Sequence, residues 1–297
     1  MDVSVIIVNY NTFALTRACI ASVLDKTKGV DAEIILVDNA STEKDPEEFS
    51  RIFPQIKLIK SPENLGFAKG NNEGLKYAQG EYILLLNSDT ELINDAISIS
   101  VKKMASDKRI GVLSAQLRYA DERIQAVTGR FPRLSTELRE LFRLNRNLTP
   151  DQRADIFLGD AFDHLSEKKV DWVWGAFFLT RREVINQFPE NQLPDDFFMY
   201  AEDMQWCYWI KEKFGFDIVY YPEGKAYHYI GGSDTSSMNE WEKFAAKMLP
   251  NIHRFIKKEK GVLYSFLYFA TKGIHYCTLR KKSAFKKAKT YFRLATK

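Results

Sequence analysis

Carboxylate and amide side chains recur directly after apolar runs in the first third of the chain. Asp38 and Asn39 follow one such run, and Asn87-Ser88-Asp89 follow another, residues 83–86. If these runs are parallel strands, the polar residues meet at one edge of the sheet, where ligands of open α/β folds bind. Asp38 and Asn39 can hydrogen-bond a pyrimidine or a ribose, and Asp89 suits a hard divalent cation that takes oxygen ligands. These residue types also favour turns, so a purely structural role stays open for both sets.

A glycine-rich segment follows the third apolar run. Residues 65–72 read Leu-Gly-Phe-Ala-Lys-Gly-Asn-Asn and are preceded by Asn64. Glycines let backbone N–H groups approach a phosphate closely, and the ammonium group of Lys69 offsets phosphate charge. A plain glycine-rich helix start is the alternative. The first strand has no Gly-x-Gly-x-x-Gly turn after it, because the first glycine of the chain is Gly29, and this argues against a hydride-transfer enzyme.

Two segments of the second half carry further ionisable side chains. Glu202 and Asp203 stand at the start of an amphipathic helical pattern, where acids either do chemistry or only complement the helix dipole. We expect Asp203 to face the interior, because it precedes Trp206 and Cys207 of the apolar stripe by three and four positions. His228 precedes a glycine pair, and a single histidine is more often structural than a metal ligand.

The spacing of the apolar residues predicts the elements that position these side chains. In the first half, short apolar runs alternate with helical patterns, which is typical of βαβ units around a largely parallel sheet. The predicted strands are 3–8, 33–37, 57–60 and 82–86, and the predicted helices are 13–24, 46–53, 67–78 and about 94–105, the last capped by Asn94. After Ile110 the regular alternation stops. Further on we predict a strand over 172–180, a helix over 203–214, a strand over 218–221 that Pro222 ends, and helices from 239 onward with breaks at Pro250, Gly261 and Gly273.

Composition narrows the class of protein. Of 297 residues, 45% are hydrophobic and 13% are aromatic, which excludes a disordered chain. The three cysteines lie far apart without a Cys-x-x-Cys pair, so neither a disulfide framework nor a zinc site is expected and a reducing compartment fits best. The N-terminus has an acid followed by a short apolar run, unlike a signal peptide, and we therefore expect no export.

Charge is distributed unevenly along the chain. The 43 basic and 39 acidic residues give a net charge of +4. Residues 251–297 nevertheless hold 13 Lys and Arg and the single acid Glu259, whereas residues 1–250 carry a net charge of −8. Basic and aromatic residues on helices suit an anionic bilayer surface, so we expect peripheral attachment to the inner leaflet of the cytoplasmic membrane. A solvated helix pair, or one packed on the main domain, is the alternative, and nucleic acid is not expected because no reading motif accompanies the charge.

Taken in order, these segments resemble the family 2 glycosyltransferases of the GT-A fold, particularly the bacterial rhamnosyltransferase-like branch. The resemblance covers roughly residues 3–235 and also includes Val5-Ile6-Ile7-Val8-Asn9-Tyr10-Asn11, Trp174-Gly175-Ala176 and residues 228–233. It implies an α/β fold with a Rossmann-like, mostly parallel central sheet flanked by helices and a helical C-terminal extension. Residues 1–235 would form the glycosyltransferase domain, divided into a nucleotide-sugar half, 1–115, and an acceptor half, 116–235. Residues 236–297 would form the basic extension.

The resemblance also implies a role for each matching residue. Residues that bind the nucleotide sugar would be Asn9, Asp38, Asn39, Asn64, Gly66, Phe67, Lys69, Asn71 and Ser88. Asn87-Ser88-Asp89 matches the Asp-x-Asp metal motif with an asparagine in first place, which leaves Asp89, with His228, to hold Mg²⁺ or Mn²⁺. Asp203 matches the catalytic base, and acceptor contacts would fall to Trp174, Gly175, Ala176 and Glu202. Gln205 stands where many relatives have a second acid, so an acceptor contact by that acid is in doubt.

The function that this resemblance implies is inverting, metal-dependent hexosyl transfer. The donor would be a nucleotide diphosphate sugar, dTDP-rhamnose or a UDP-sugar, and the acceptor a hydroxyl of a glycan or a lipid-linked molecule in surface polysaccharide or cell-envelope glycan synthesis. A sugar-phosphate nucleotidyltransferase is one rival, but it would need a basic, glycine-rich loop where residues 9–13 have none. A noncatalytic nucleotide-sugar-binding protein is the other, and it would not need Asp203 at a helix start.

Overall fold

The chain forms two compact units. A computed structural model describes residues 1–229 and 239–297. Unit 1 consists of Met1–Gly129 and Asp163–Thr235, and unit 2 of Arg130–Phe162 and Ser236–Lys297. Residues 130–162, which the sequence placed in the acceptor half, thus group with the C-terminal helices. The assignment of functions to the predicted residue ranges stays a prediction.

The described residues form eleven strands and twelve α-helices. The strands are β1 (Val3–Asn9), β2 (Ala32–Asp38), β3 (Lys57–Lys60), β4 (Tyr82–Asn87), β5 (Thr90–Leu92), β6 (Ile110–Arg118), β7 (Thr128–Gly129), β8 (Lys168–Val170), β9 (Trp172–Val173), β10 (Phe177–Arg181) and β11 (Asp217–His228). The helices are α1 (Phe13–Lys26), α2 (Glu47–Ile52), α3 (Gly66–Leu75), α4 (Ala96–Ser106), α5 (Leu134–Leu141), α6 (Pro150–Phe157), α7 (Arg182–Ile185), α8 (Glu202–Tyr208), α9 (Glu240–Lys243), α10 (Leu249–Lys260), α11 (Val262–Thr278) and α12 (Lys282–Ala295).

The central sheet of unit 1 has the strand order β3-β2-β1-β4-β10-β6-β11-β5, and β8 also pairs with β11. β3, β2, β1 and β4 are parallel neighbours. β10 runs antiparallel to both β4 and β6, and β11 is parallel to β6. Six of these strands therefore point the same way, and their carboxyl ends lie at one edge. This arrangement confirms the predicted α/β class with a mostly parallel sheet, helices around it and helices at the C-terminal end.

The first four strands lie where the apolar runs predicted them. In β1 the side chains of Val3, Val5, Ile6 and Ile7 are fully buried, and the apolar core of β4 is equally enclosed. Parallel strands covered by helices on both faces read as continuous apolar runs, which is why this signal is clear in the sequence. The predicted bounds agree with the structure to within one residue at each end.

The later strands differ from the prediction. β6 was missed because Gly111, Ser114 and Gln116 interrupt its apolar pattern, although the two polar side chains are buried. β11 does not end at Pro222: its pairing with β6 shifts register between Tyr221 and Lys225, and this bulge accommodates a residue that has no N–H to donate. The predicted strand 172–180 is two strands, since β9 pairs with β7 and β10 pairs with β4.

The predicted helices are mostly confirmed, with three corrections. Asp95, and not Asn94, caps α4, because its Oδ1 accepts the N–H of Ser98 at 3.2 Å. Pro250 lies in the first turn of α10, where its missing N–H breaks no helical bond. Gly273 lies inside α11 and does not break it. A glycine is needed there because the ring of Phe292 packs against the position where a Cβ would stand. The predicted break at Gly261 is confirmed.

Unit 2 is built from α5, α6 and the helices α9–α12. α11 packs against both α12 and α5. The core of unit 2 includes the buried rings of Phe255, Tyr268, Phe269 and Tyr291. In the two described ranges, no helix combines the length and the apolar character needed to cross a bilayer.

Candidate active site

The carboxyl ends of β1 and β2 are joined through Asn9 and Asp38. Asn9 Nδ2 donates to Asp38 Oδ1 at 2.7 Å and to Ser41 Oγ at 2.9 Å. Its Oδ1 accepts from the hydroxyls of Thr12 at 3.0 Å and Thr16 at 2.8 Å. Asp38 Oδ2 accepts the N–H of Ser41 at 3.1 Å. Both amide protons and the oxygen of Asn9 are thus used within the protein, and its effect is to fix the carboxylate of Asp38.

Asn39 ties the end of β2 to the start of α3. Its Nδ2 donates to Asn64 Oδ1 at 2.9 Å and to the carbonyl of Gly66 at 3.2 Å. Its Oδ1 accepts the N–H of Leu65 at 2.9 Å. These bonds join Asn39, Asn64 and Gly66, three of the predicted nucleotide residues, in one cluster. Asn39 itself is buried.

The first two N–H groups of α3 are bonded to acceptors within the protein. The N–H of Gly66 donates to Asn64 Oδ1 at 3.0 Å, and the N–H of Phe67 donates to the carbonyl of Phe198 at 3.0 Å. Gly66 has φ +78°, and a Cβ there would stand 2.5 Å from that carbonyl oxygen. The glycine is needed for this close approach. Each of these two N–H groups thus has a protein acceptor, and a phosphate-binding role for this segment stays a prediction.

A second tie joins α3 to the loop that precedes α8. Asn72 Nδ2 donates to the carbonyl of Leu193 at 2.8 Å, and Asn72 Oδ1 accepts the N–H of Leu193 at 3.0 Å. We call residues 193–200 the base loop. Its contacts with Phe67 and Asn72 had no signal in the sequence, since the partners lie more than a hundred residues apart.

Three other predicted nucleotide residues occupy different environments. Lys69 is exposed on α3. Asn71 is buried and donates through Nδ2 to the carbonyl of Phe67 at 2.9 Å. The hydroxyl of Ser88 lies 3.1 Å from that of Thr12. Lys69 is therefore the one of these three whose side chain is available at the surface.

Asp89 and His228 come together at the carboxyl ends of β4 and β11. Asp89 Oδ1 lies 3.4 Å from His228 Nε2, and the side chains are 17% and 8% exposed. The carbonyl of Asp89 accepts the N–H of Tyr229 at 2.8 Å, which holds the turn after β4 against the end of β11. The residues that follow in the predicted segment, including Gly231, Gly232 and Ser233, lie outside the described residues.

Gln125 fixes the tautomer of His228. Gln125 Nε2 donates to the carbonyl of His228 at 2.7 Å, and its Oε1 lies 2.9 Å from His228 Nδ1. A carbonyl only accepts, so the amide nitrogen must face it and the amide oxygen must face Nδ1. Nδ1 therefore carries a proton, and in the neutral form of the ring Nε2 is the nitrogen with a lone pair on the side of Asp89. The sequence did not point to Gln125, which is 103 residues from its partner.

These two side chains fit a divalent cation that is completed by substrate oxygens. A carboxylate oxygen and an unprotonated imidazole nitrogen are both metal ligands, and the Gln125 bond is the outer support that ligating histidines usually have. Among residues 1–229 and 239–297, no group of three or more His, Cys, Asp or Glu side chains could hold a metal by itself. Mg²⁺ and Mn²⁺ sites in phosphate-binding enzymes commonly use few protein ligands and take the rest from phosphate and water.

Asp203 is held at the start of α8 by two backbone groups. Its Oδ2 accepts the N–H of Gly175 at 3.2 Å, and its Oδ1 accepts the N–H of Met204 at 2.8 Å. A Cβ on Gly175 would lie 2.9 Å from the ring of Phe67 and 3.8 Å from the Cβ of Asp203. Gly175 thus lies between a residue of the nucleotide half and the candidate base.

The two adjacent acids are both enclosed. Burial raises the pKa of Asp203 to about 6. Burial, and then the neighbouring charge of Asp203, raise the pKa of Glu202 well above its usual value. Glu202 is only 5% exposed, and its Oε2 has no hydrogen-bond partner. We expected only Asp203 to face the interior, but Glu202 is the less exposed of the two side chains. With a pKa of about 6, Asp203 is mostly ionised at neutral pH.

Trp174, Gly175 and Ala176 bridge the parts of the site. The ring of Trp174 meets that of His228 edge-on, with centroids 6.2 Å apart. Gly175 bonds Asp203, and the carbonyl of Ala176 accepts the N–H of Asn87 at 3.1 Å. Three consecutive residues therefore contact the histidine, the candidate base and the turn that carries Asp89.

Comparison with known proteins decides the family. The profile of "Glycosyl transferase family 2" matches residues 4–188. The chain belongs to this family. It is therefore a member of the family 2 glycosyltransferases, and the solved glycosyltransferases described below share its fold.

The curated relatives of this family 2 glycosyltransferase match it over limited lengths. Chondroitin synthase of Pasteurella multocida is 31% identical over 111 residues, which are 36% of this chain and 11% of that protein. The low-salt glycan biosynthesis hexosyltransferase Agl10 of Haloferax volcanii is 27% identical over 216 residues, 70% of this chain and 61% of that protein. The chain thus spans less than two thirds of these relatives.

Solved structures share the fold of this glycosyltransferase at low sequence identity. GalNAc-T7, solved with UDP, GalNAc and Mn²⁺, superposes with a TM-score of 0.61 and 13% identity, covering 99% of this chain and 55% of that one. The mannosyltransferase PcManGT of Pyrobaculum calidifontis, solved with GDP-Man and Mn²⁺, gives 0.51 and 16%, covering 99% and 72%. The family profile ends at residue 188, so the roles of Asp203 and His228 depend on the geometry described above.

Proposed function

We propose that this glycosyltransferase moves a hexosyl group from a nucleotide diphosphate sugar to an acceptor hydroxyl, with inversion and with the help of Mg²⁺ or Mn²⁺. The observation that carries the proposal is the bridge formed by Trp174, Gly175 and Ala176, whose neighbours are His228, Asp203 and Asn87. A cation site for a diphosphate and a carboxylate for an acceptor thereby stand on either side of one short segment.

The donor side is formed by the carboxyl ends of β1, β2 and β4. The carboxylate of Asp38, oriented by Asn9, is positioned to bind the nucleoside, and Asn39 and Asn64 shape the same edge. Asp89 and His228 would hold the cation, which neutralises charge on the departing diphosphate when bound. Lys69 adds a further positive charge at the surface of α3. Ser88, Gly66, Phe67 and Asn71 support this side of the site.

The acceptor side is formed by Asp203 and the residues around it. Asp203 is ionised near neutral pH and takes the proton of the acceptor hydroxyl as the oxygen attacks the anomeric carbon. Its two N–H contacts aim the carboxylate. Attack from the face opposite the diphosphate inverts the anomeric configuration. We propose that Trp174, Gly175, Ala176 and Glu202 contact the acceptor on this side.

Sequence motifs and similar proteins support a proposal for the sugar and the pathway. The rhamnosyltransferase-like motifs favour dTDP-rhamnose, with a UDP-sugar as the other donor to be tested. The hexosyltransferase name of Agl10 and the synthase name of the Pasteurella relative support a role in surface polysaccharide or cell-envelope glycan synthesis. We propose a glycan or lipid-linked acceptor and a peripheral location on the inner face of the cytoplasmic membrane.

A donor panel tests the function directly. Purified protein is heated with dTDP-rhamnose, UDP-sugars and GDP-mannose, with and without Mn²⁺, and the true donor should raise the melting temperature mainly when Mn²⁺ is present. Transfer from that donor should disappear in Asp89→Ala. Donor binding without transfer to any acceptor would indicate a noncatalytic binding protein, and full transfer after chelation would contradict the role of the cation.

A further inference from the structure

The outer face of α11 is apolar and uncovered. Leu263, Phe266, Leu267 and Ile274 recur at helical spacing, and Leu263 is 72% exposed. The opposite face of the same helix is buried in unit 2 through residues such as Tyr268 and Phe269. An apolar stripe normally packs against a core, so one that faces outward indicates a binding surface.

α12 extends this surface with a groove of about 510 Å³. The groove is lined by Cys277, Phe285, Ala288, Lys289, Phe292, Arg293 and Thr296. Cys277 is a residue of α11, so the groove adjoins the C-terminal part of that helix. Its apolar floor is accompanied by two exposed cations, Lys289 and Arg293.

Only some of the C-terminal cations belong to this surface. Five lysines make contacts inside unit 2: Lys257 with the carbonyl of Lys297, Lys260 with that of Pro132, Lys272 with Glu137, Lys286 with Glu242 and Lys287 with the ring of Trp241. By contrast, Lys289 and Arg293 line the groove, and Arg280, Lys281 and Lys282 are exposed where α11 joins α12. The basic tail therefore contains one set of cations with partners in unit 2 and another set at the groove and at the turn between α11 and α12.

We infer that the outer face of α11 and the α12 groove lie in the headgroup region of an anionic bilayer. This inference rests on the proposed peripheral attachment and specifies its surface. Apolar side chains enter the boundary between headgroups and acyl chains, while the surface cations pair with lipid phosphates. The occupant is a lipid surface because residues 251–297 carry 13 basic residues and one acid, and a second copy of this chain would bring the same positive charge to the contact.

Sedimentation with vesicles tests the surface. Full-length protein is mixed with vesicles of phosphatidylcholine, alone or with phosphatidylglycerol, without donor or acceptor. Strong binding is expected only with the anionic lipid. Leu263→Gln with Phe266→Gln, and separately Lys289→Gln with Arg293→Gln, should each weaken that binding on the order of tenfold or more.

Matched variants control for charge and for lost apolar surface. Lys102→Gln with Lys108→Gln removes two exposed cations of unit 1, and Ile52→Gln with Leu165→Gln removes two exposed apolar side chains of unit 1. Both control proteins should bind as the parent does. The inference would be overturned by an equal loss of vesicle binding in test and control variants, or by equal binding to both vesicle types. It would also be overturned if light scattering shows a dimer that the α11 substitutions dissociate while sedimentation with vesicles is unchanged. Donor stabilisation in unit 1 is measured separately, so failure here leaves the proposed glycosyl transfer standing.

Discussion

The carboxyl of Asp203 determines the expected pH dependence of transfer. Its ordinary pKa of 3.8 is raised to about 6 by burial, and only the ionised form accepts a proton. We predict that kcat rises with pH through an apparent pKa near 6, and that Asp203→Asn lowers kcat on the order of a hundredfold to ten-thousandfold while donor binding persists. A pH series of rates and a donor titration measure the two effects. Near-normal turnover in Asp203→Asn would exclude Asp203 as the base, and Glu202→Gln, which replaces the adjacent carboxyl, is measured for comparison.

The same shift predicts a stability change of definite sign. A carboxyl with a raised folded-state pKa stabilises the fold most when it is protonated, and this contribution is lost as pH rises from about 4 to about 6. The unfolding free energy of Asp203→Asn relative to that of the parent should therefore rise between pH 4 and pH 7 by on the order of 1–3 kcal/mol. Denaturant titrations of both proteins at the two pH values measure this difference. A gain of equal size at both values would assign it to something other than ionisation.

Gln125 gives a second prediction for a single residue. Gln125→Met keeps the size of the side chain but no longer holds the proton on His228 Nδ1. Loss of such outer support commonly lowers metal affinity on the order of 10–100-fold, and Mn²⁺ titration followed by electron paramagnetic resonance should show this. Gln116→Met is the control, because Gln116 is likewise buried and donates to a histidine carbonyl, that of His164, at 3.0 Å. Unchanged Mn²⁺ affinity in Gln125→Met would contradict the assigned tautomer or the ligand role of His228.

At the scale of elements, the segment between β9 and β10 has little room. Gly175→Ala places a methyl group 2.9 Å from the ring of Phe67, and such overpacking typically costs on the order of 1–3 kcal/mol. The unfolding free energy should fall by that amount, and kcat should fall because the N–H that aims Asp203 is displaced. Adding Phe67→Leu should restore part of the stability. If the effects of Gly175→Ala and Phe67→Leu on the unfolding free energy are additive, the close contact is not the cause of the lost stability.

The elements also show what the sequence could predict. Strands β1, β2 and β4 followed from apolar runs, and the acids and amides at their ends followed from the geometry of a parallel sheet. β6 did not, because polar residues interrupt its apolar run, and its buried Gln116 donates to the carbonyl of His164, a distant partner that a local pattern cannot contain. The glycines of α3 were correctly noticed, but their reason is the close approach of Phe198 and of Val8. Close packing and phosphate binding both require glycine, so the sequence alone does not distinguish the two reasons.

At the scale of the whole molecule, we predict that the two units bind different ligands, each of which protects its own unit from hydrogen exchange. Donor and Mn²⁺ should protect backbone amides from hydrogen exchange near residues 38–41 and 87–89, whereas anionic vesicles should protect α11 and α12. Binding in one unit stabilises what it contacts. Exchange followed by mass spectrometry resolves both regions in one experiment. Protection of α11 by donor alone, without vesicles, would show that the two sites are not independent. The vesicle response should also weaken as salt is added, because surface charges are screened.

The two ties from α3 to the base loop restrict how hybrid enzymes can be assembled. Asn72 pairs with both backbone groups of Leu193, and the N–H of Phe67 pairs with Phe198. A helix that belongs to the donor side thus sets the position of the loop that leads into Glu202 and Asp203. Grafting residues 116–235 from a relative to change the acceptor will keep the base aligned only if the host retains glycine at 66 and asparagine at 72. The crossover residue of a working chimera is therefore dictated by α3 and not by the sequence boundary between the halves.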